Sequence, residues 1–340
     1  METNEKRGIE GVEMPGVGLT KRLWMGGVSG YLLGRNLAFK HAPGAANALM
    51  RWSNVSGRGR GRDGAEAARY FASVLRDYEI IAQDAGLVTD PKELFRGRRV
   101  LELGPGNTRS ITLSARVRGA TMAAGWDAFD VQSRDETYLR PIYEALLADL
   151  GEPGGFPRAL ELTRDIRVHK DAETLRAAGT KFDLVLSRAV LEHVRDVDRL
   201  YGDLEGLLSD DAVLIHKVDL RCHGFRLNHE LDFLLFPERV WRRLTTHIGE
   251  PNRVRYPDYL AVGEKHGFVP VYASSTHVIP LEDARRVRKN LAVPFRDMAD
   301  DVLSVLGFWM VQVRKGHPLA ARGAAATPIG PAPHARLGSY

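Results

Sequence analysis

A short apolar run that ends in a glycine turn is the feature that most constrains the fold of this chain. Val100-Leu101-Glu102-Leu103 has the composition of a buried strand, and Gly104-Pro105-Gly106-Asn107 follows it at once. Glycine allows a ligand to approach the backbone, and the N-terminus of a following helix offers free N–H groups. The third glycine of a dinucleotide fingerprint would fall at Arg109. The turn therefore predicts a nucleotide-like ligand but argues against nicotinamide or flavin.

Two acidic residues follow later predicted strands. Asp127 comes directly after the weak strand 121–126, and Asp171 comes shortly after the short strand 165–169. A carboxylate at the end of the second strand can accept hydrogen bonds from both ribose hydroxyls of a nucleoside, and one after the third strand can accept from an adenine amino group. Because ligands of open α/β sheets bind at the carboxyl edge, these acids and the glycine turn together predict a nucleoside site there.

Strand and helix signals alternate through the middle of the chain. Further buried strands are predicted at 182–187 and 212–218, and the last two at 269–272 and 308–313. Strands separated by helices favour a parallel sheet with right-handed crossovers. We therefore predict an α/β fold with a Rossmann-like, doubly wound, mostly parallel seven-stranded sheet, an N-terminal helical extension and an insertion after strand five, over 221–250.

The chain divides into three predicted regions. Residues 1–95 form an N-terminal helical or cap extension, which contains a helical pattern over 65–85 and a basic Gly/Arg loop over 56–62. Residues 96–316 form the core domain. Residues 317–340 are rich in Ala, Pro and Gly without periodicity, which predicts a disordered tail.

Composition limits the location and the partners. The net charge is +5 with a sequence pI of about 9.3. An arginine-rich composition explains this without nucleic acid, and no aromatic residues interleave with the Gly/Arg run, so we do not expect a nucleic-acid partner. The single cysteine, the absence of a long apolar run and the lack of a signal-peptide pattern predict a cytoplasmic protein without a membrane span. The sequence is compatible with a homodimer.

The motifs together resemble those of class I S-adenosylmethionine-dependent methyltransferases. Residues 100–106 resemble motif I, Gly125-Trp126-Asp127 resembles motif II, and 182–187 with 190–194 resemble motif IV and the segment after it. A narrower likeness, to bacterial methyltransferases of polysaccharide and natural-product pathways, is carried by 187–193, 215–221 and 251–253.

The resemblance implies S-adenosylmethionine as cofactor and assigns residues to it. Glu102 and Gly104 would hold its methionine end, Asp127 its ribose and Asp171 its adenine, while Ser187 and Arg188 would face the sulfonium. The full set of expected cofactor-binding residues is Glu102, Gly104, Pro105, Gly106, Asn107, Asp127, Asp171, Ala172, Ser187 and Arg188.

The candidate catalytic residues follow strands four and five. Methyl transfer to a hydroxyl needs a base, commonly histidine or a carboxylate. His193, His216, Asp219 and His223 are the candidates, and each can instead be a satisfied structural polar residue. Strand alternation places His216 and Val218 on one face and Lys217 and Asp219 on the other. Only side chains at the carboxyl end of the strand reach the pocket, which favours Asp219 and the nearby His223.

A metal site is an alternative use of the same region. Some similar methyltransferases carry Glu-x-x-Glu-His after strand four and bind a divalent cation, but Ala189 replaces the first carboxylate here. Glu192 and His193 alone cannot close a site, although His223 or Asp219 could complete one. We therefore predict no metal. In the insertion, the apolar run 231–236 is either a substrate wall or core.

These observations predict a small-molecule methyltransferase in a biosynthetic pathway, acting on a hydroxyl of a sugar or secondary metabolite. Three alternatives stay open: methylation of nitrogen or carbon, a nicotinamide-dependent oxidoreductase, and a non-catalytic scaffold or nucleic-acid-binding protein of the same fold. Arginines of the insertion and the residues after it, such as Arg253 and Arg255, either bind an anionic acceptor or pair with local acids.

Overall fold

The computed structural model describes residues 18–42, 64–129, 132–223, 226–245, 250–322 and 330–331. Its centre is one mixed sheet, whose strands are β1 (Arg99–Leu103), β2 (Met122–Trp126), β3 (Arg167–His169), β4 (Phe182–Arg188), β5 (Leu208–Asp219), β6 (Phe268–Val278), β7 (Val305–Arg314) and β8 (Gly330–Pro331). The described α-helices are α1 (Leu19–His41), α2 (Gly64–Asp84), α3 (Ser110–Val117), α4 (Glu136–Leu150), α5 (Gly155–Thr163), α6 (Ala172–Ala177), α7 (Val197–Leu207), α8 (Glu238–Leu244), α9 (Tyr256–Lys265), α10 (Leu281–Arg288) and α11 (Asp300–Ser304).

The strand order is β3-β2-β1-β4-β5-β7-β6-β8. Strands β1 to β5 pair in parallel, whereas β7 runs antiparallel to both β5 and β6. The predicted mostly parallel, doubly wound seven-stranded sheet is confirmed, and β8 adds a two-residue parallel pairing to β6. Because β1 and β4 are neighbours in the centre of the sheet, the glycine turn after β1 lies beside the chain that leaves β4.

Two apolar layers cover the two faces of the sheet. One contains buried side chains of α2, α3, α4 and α5 packed on residues such as Val100, Leu184 and Trp309. The other contains α6, α7 and α9 packed on residues such as Leu101 and Val185. Neighbouring residues of one strand therefore face different layers, as the pleat requires. This alternation decides below which side chains reach the candidate site.

The two described helices of the N-terminal extension pack on different parts of the fold, one on the sheet and the other on the insertion. The helix predicted over 65–85 is present as α2, with Phe71, Leu75 and Tyr78 in the first layer. Helix α1 instead packs through Met25, Val28 and Leu32 on a third apolar cluster, which contains the insertion run 231–236. That run is 0–1% exposed in its apolar members, so it is core rather than a substrate wall.

Parts of the predicted loop and tail lie outside the described residues. The Gly/Arg run 56–62 is one of them. In the tail, Pro318–Arg322 forms a 3₁₀ turn and Gly330–Pro331 pairs with β6, while 323–329 and 332–340 are not described. Among the helices that are described, none combines the length and the apolar character needed to cross a bilayer.

Candidate active site

The glycine turn after β1 needs glycine for two separate reasons. Gly104 and Gly106 have φ of 62° and 68°, in the left-handed region that favours glycine. In addition, a Cβ on Gly104 would stand 2.5 Å from Val190 Cγ2, so a side chain there would collide with the segment that follows β4. Arg109, at the position of the absent third glycine, also has positive φ, and its guanidinium donates to the carbonyl of Ile166. The turn thus joins the ends of β1 and β4 in close contact.

A cavity of about 430 Å³ opens on this turn, and we call it the glycine-loop cavity. It is lined by Tyr70, Phe71, Val74, Tyr78, Glu102, Gly104, Pro105, Gly106, Asn107, Ile111 and Arg188. The first four residues belong to α2, so the N-terminal extension forms one wall of the cavity. Sequence reasoning missed this wall, because its apolar periodicity is also that of ordinary core packing.

Glu102 supplies the polar group at the base of the glycine-loop cavity. Its side chain is buried, and burial raises the pKa of the carboxyl to about 8. A hydrogen bond from the backbone N–H of Thr112 lowers this pKa but does not cancel the effect of burial. Oε2 is buried and has no hydrogen-bond partner in the described part of the chain. A cation bound there would restore the ionised form. The methionine end of S-adenosylmethionine carries such a cation, so the residues present fit that cofactor.

The two expected nucleoside ligands differ in their surroundings. Asp127 lies partly buried directly after β2; burial raises the pKa of its carboxyl, and the N–H of Phe129 donates to Oδ1 at 2.9 Å. Asp171 is exposed and caps α6, accepting from the N–H of Thr174 at 2.8 Å, which lowers the pKa of its carboxyl. Asp127 lies close enough to Glu102 to contribute to the raised pKa of that carboxyl, although it is not among the residues that line the cavity. Asp171 already has a structural function as a helix cap.

Of the adjacent residues Ser187 and Arg188, only Arg188 lines the glycine-loop cavity. Arg188 forms an ion pair with Asp77 of α2 at 2.6 Å. The Ser187 hydroxyl lies 2.7 Å from Nδ1 of His216, and both residues are fully buried on the opposite face of the sheet. Burial lowers the pKa of His216 to about 3. The pleat directs both side chains into the second layer, away from the glycine-loop cavity, so their position does not support Ser187 at the sulfonium or His216 as a base.

The other three catalytic candidates meet at the carboxyl ends of β4 and β5; we call His193, Asp219 and His223 the imidazole cluster. The two imidazole rings are 4.9 Å apart between centroids, and Nε2 of His223 lies 3.6 Å from Oδ2 of Asp219. Burial alone would raise the pKa of Asp219, but hydrogen bonding to His223 and Arg221 holds the pKa well below the ordinary value. Asp219 is thus a fixed anion beside His223.

Asn252 positions the turn that carries His193. Its side-chain amide donates to the carbonyls of Leu191 and Val194, both at 2.8 Å, and its backbone N–H donates to the carbonyl of Glu192 at 2.6 Å. Sequence reasoning noted Asn252 only within a resemblance, since nothing local links it to a turn so far away in the chain. Because Val190 of this segment lies against Gly104, Asn252 holds the turn that carries His193 near the carboxyl end of β1.

The N-terminal extension also reaches this region. Arg35 of α1 forms an ion pair with Glu250. Burial raises the pKa of the Glu250 carboxyl, and the charges of Arg35 and the nearby His223 offset only part of this rise. By contrast, Arg253 pairs with Glu238, and Arg255 is fully buried and donates to the carbonyls of Leu220 and Val305. These last two arginines hold the insertion to the sheet and are not available to an acceptor.

Comparison with known proteins gives one family and a set of similar folds. The model of a family described as a methyltransferase domain matches residues 77–269, more than half of the chain. No curated protein matches the sequence. Among solved structures, an S-adenosylmethionine-dependent methyltransferase from Mesorhizobium loti is 17% identical, with 65% of this chain and 92% of that chain covered and a TM-score of 0.36. Magnesium protoporphyrin IX methyltransferase from Synechocystis PCC 6803 with bound S-adenosylhomocysteine is 14% identical, with 83% and 98% covered and a TM-score of 0.38.

Proposed function

Because the chain belongs to this family of methyltransferase domains, we propose that it methylates a hydroxyl group of a small molecule such as a sugar or secondary metabolite. The chain is an S-adenosylmethionine-dependent methyltransferase. Bound S-adenosylmethionine supplies an electrophilic methyl group on a sulfonium sulfur. What the proposal adds is the acceptor class and the residues that serve it.

The residues proposed for the donor are those of the glycine turn and its surroundings. Glu102 would bind the cationic methionine end, since its buried Oε2 has no hydrogen-bond partner among the described residues. Gly106 leaves open space above the turn, and Asp127 would accept from the ribose hydroxyls at the end of β2. Asn107, held by the Tyr138 hydroxyl at 3.1 Å, completes the turn. Asp171 and Ala172 at the start of α6 are the proposed adenine neighbours.

The observation that carries the acceptor assignment is the position of the imidazole cluster. Val190 stands against Gly104, and His193 follows it within one turn, which supports the proposal that His193, with His223 and Asp219, faces the donor. An amine acceptor needs only to be neutral, whereas a hydroxyl must lose a proton during transfer. Two imidazoles and a fixed carboxylate at this place suit a hydroxyl acceptor. Holding acceptor and methyl carbon in line can lower the barrier by about 7–11 kcal/mol.

The test is a methyl-transfer assay with isotopically labelled donor over matched acceptors. Pairs of sugars and phenols that differ only by hydroxyl or amine at one position would be compared on the full chain. We expect transfer to the hydroxyl members and its loss, by about 10²–10⁴-fold, in His223→Ala. His266→Gln, which changes a partly buried histidine paired with Asp198, is the control that should keep full activity. Faster transfer to the amine members, or an unaffected His223→Ala enzyme, would contradict the proposed acceptor class.

A further inference from the structure

Three side chains with metal-binding atoms converge at the end of β4. Glu192, His193 and His223 each offer one ligand atom, and these atoms all lie within 4.8 Å of one another. Three ligands of one ion lie about 3.4–3.6 Å apart when each bond is about 2.1 Å. Movements of at most about 0.7 Å per side chain would therefore bring all three onto one ion.

The surroundings of these side chains are those of a built ligand set. A metal-binding imidazole usually directs its second nitrogen to a carboxylate, which fixes the ring. Here Nε2 of His223 faces Asp219, which leaves Nδ1 as its coordinating nitrogen. Asn252 holds the backbone on both sides of Glu192 and His193, so two of the three ligands start from a fixed turn.

The third ligand is His223, one of the two residues, with Asp219, that the sequence offered to complete a site with Glu192 and His193. Ala189 stands where similar metal-binding methyltransferases have a carboxylate, and we therefore predicted no metal. In the fold, His223 comes from the segment after β5 and meets Glu192 and His193 from the other side. The donor set becomes two imidazoles and one carboxylate. Such a set suits Zn²⁺, Co²⁺ or Fe²⁺, whereas Mg²⁺ and Ca²⁺ prefer oxygen ligands alone.

We propose that Glu192, His193 and His223 bind a divalent transition-metal ion that holds the acceptor hydroxyl. This inference rests on the proposed hydroxyl acceptor. An ion with three protein ligands keeps at least one open position, and a hydroxyl bound there has a lowered pKa. The hydroxyl loses its proton to water. Its oxygen then forms the new C–O bond as the C–S bond of the donor breaks and the electron pair stays on sulfur. Acceptors with two adjacent oxygens are favoured, because both can bind the ion.

The experiment uses the chelator-treated full chain and Co²⁺ as a spectroscopic probe. We expect one equivalent of Co²⁺ to bind with visible d–d absorption, and Zn²⁺ to displace it, while Mg²⁺ does not. His223→Gln should weaken Co²⁺ binding by more than about a hundredfold, and Asp219→Asn by about 10–100-fold, the range for residues that orient a ligand. His223 is partly exposed, so His223→Gln should fold even if changes at the buried Glu192 do not. His266→Gln should bind Co²⁺ like the unchanged chain.

Calorimetry with S-adenosylhomocysteine on the same samples separates this inference from the proposed function. Binding of S-adenosylhomocysteine and transfer to hydroxyls, without a stoichiometric Co²⁺ site, would overturn the metal site and leave the proposed function intact. Equal Co²⁺ affinity in His223→Gln would overturn it as well. Specific Co²⁺ binding together with amine methylation would support the metal site and refute its role in holding a hydroxyl.

Discussion

The raised pKa of Glu102 predicts a pH-dependent affinity for the donor. In the ligand-free site burial raises this pKa to about 8. If the cationic methionine end binds only the ionised carboxyl, affinity follows the ionised fraction, which is about 1% at pH 6, about 9% at pH 7 and about half at pH 8. Affinity should therefore rise about tenfold from pH 6 to 7, about fivefold from 7 to 8, and then level off.

The assay is calorimetry with S-adenosylhomocysteine, which carries the same methionine end, repeated in buffers of different ionisation enthalpy. At pH 7 binding should release close to one proton. Glu102→Gln should bind more weakly and without this pH dependence. Glu79→Gln is the matched control, since Glu79 is a buried carboxyl with a raised pKa that does not line the glycine-loop cavity. An unchanged proton release in Glu102→Gln, or affinity that does not vary between pH 6 and 8, would refute the reasoning.

The same pKa has a consequence for stability with a definite sign. Since the pKa of Glu102 is higher in the folded chain than the ordinary value of 4.5, the folded state holds the proton more tightly. Its stabilising contribution is complete below about pH 4.5 and is lost as the pH rises through about 8. Denaturant unfolding of the ligand-free chain should show this decline, and Glu102→Gln should lack it.

Three further substitutions test separate parts of the site. Asp127→Ala should weaken S-adenosylhomocysteine binding about tenfold or more, the equivalent of hydrogen bonds worth about 1.5–3 kcal/mol, and unchanged calorimetric affinity would exclude its ribose function. Gly104→Ala should lower the unfolding midpoint and abolish donor binding, because its Cβ would stand 2.5 Å from Val190 at a φ of +62°; a well-folded variant with full affinity would contradict this. Asn252→Ala should slow methyl transfer while leaving donor affinity within about twofold, since it positions His193; equal losses in both would show a general folding defect.

The elements proposed to bind the donor could be located from the sequence because their signals are local. The glycines that need positive φ are adjacent to β1, and Asp127 directly follows β2. The strand before each residue therefore indicates where that residue lies in the fold. The parallel order of the strands then brings these ends together without further information. The wall formed by α2 escaped prediction, since apolar periodicity does not distinguish a cavity lining from core.

The assignments of Ser187 and His216 have a different origin. Ser187 was assigned through the resemblance and His216 as a polar residue near the end of strand five, and both lie one residue out of phase with the face of the sheet that lines the cavity. Period-2 alternation decides this, and the first layer fixes the phase through Leu184, Leu186 and Ile215. The apolar residues on each side therefore contain the information. To predict which side chains reach a site, a residue's position along the strand and the face of the sheet to which its side chain points must be considered together.

The acceptor half depends on contacts between distant parts of the chain, which explains why the sequence leaves its chemistry open. His193 and His223 follow different strands, and Glu250 beside His223 is neutralised by Arg35 from α1. A buried carboxylate without its partner would cost several kcal/mol, so α1 is part of the structure that sustains this region. The N-terminal extension thus serves both halves, since α2 forms a wall of the glycine-loop cavity and α1 compensates the charge beside the imidazole cluster. If the imidazole cluster binds the acceptor as proposed, acceptor recognition depends on the N-terminal extension and on the segment after β5 as well as on the ends of the strands.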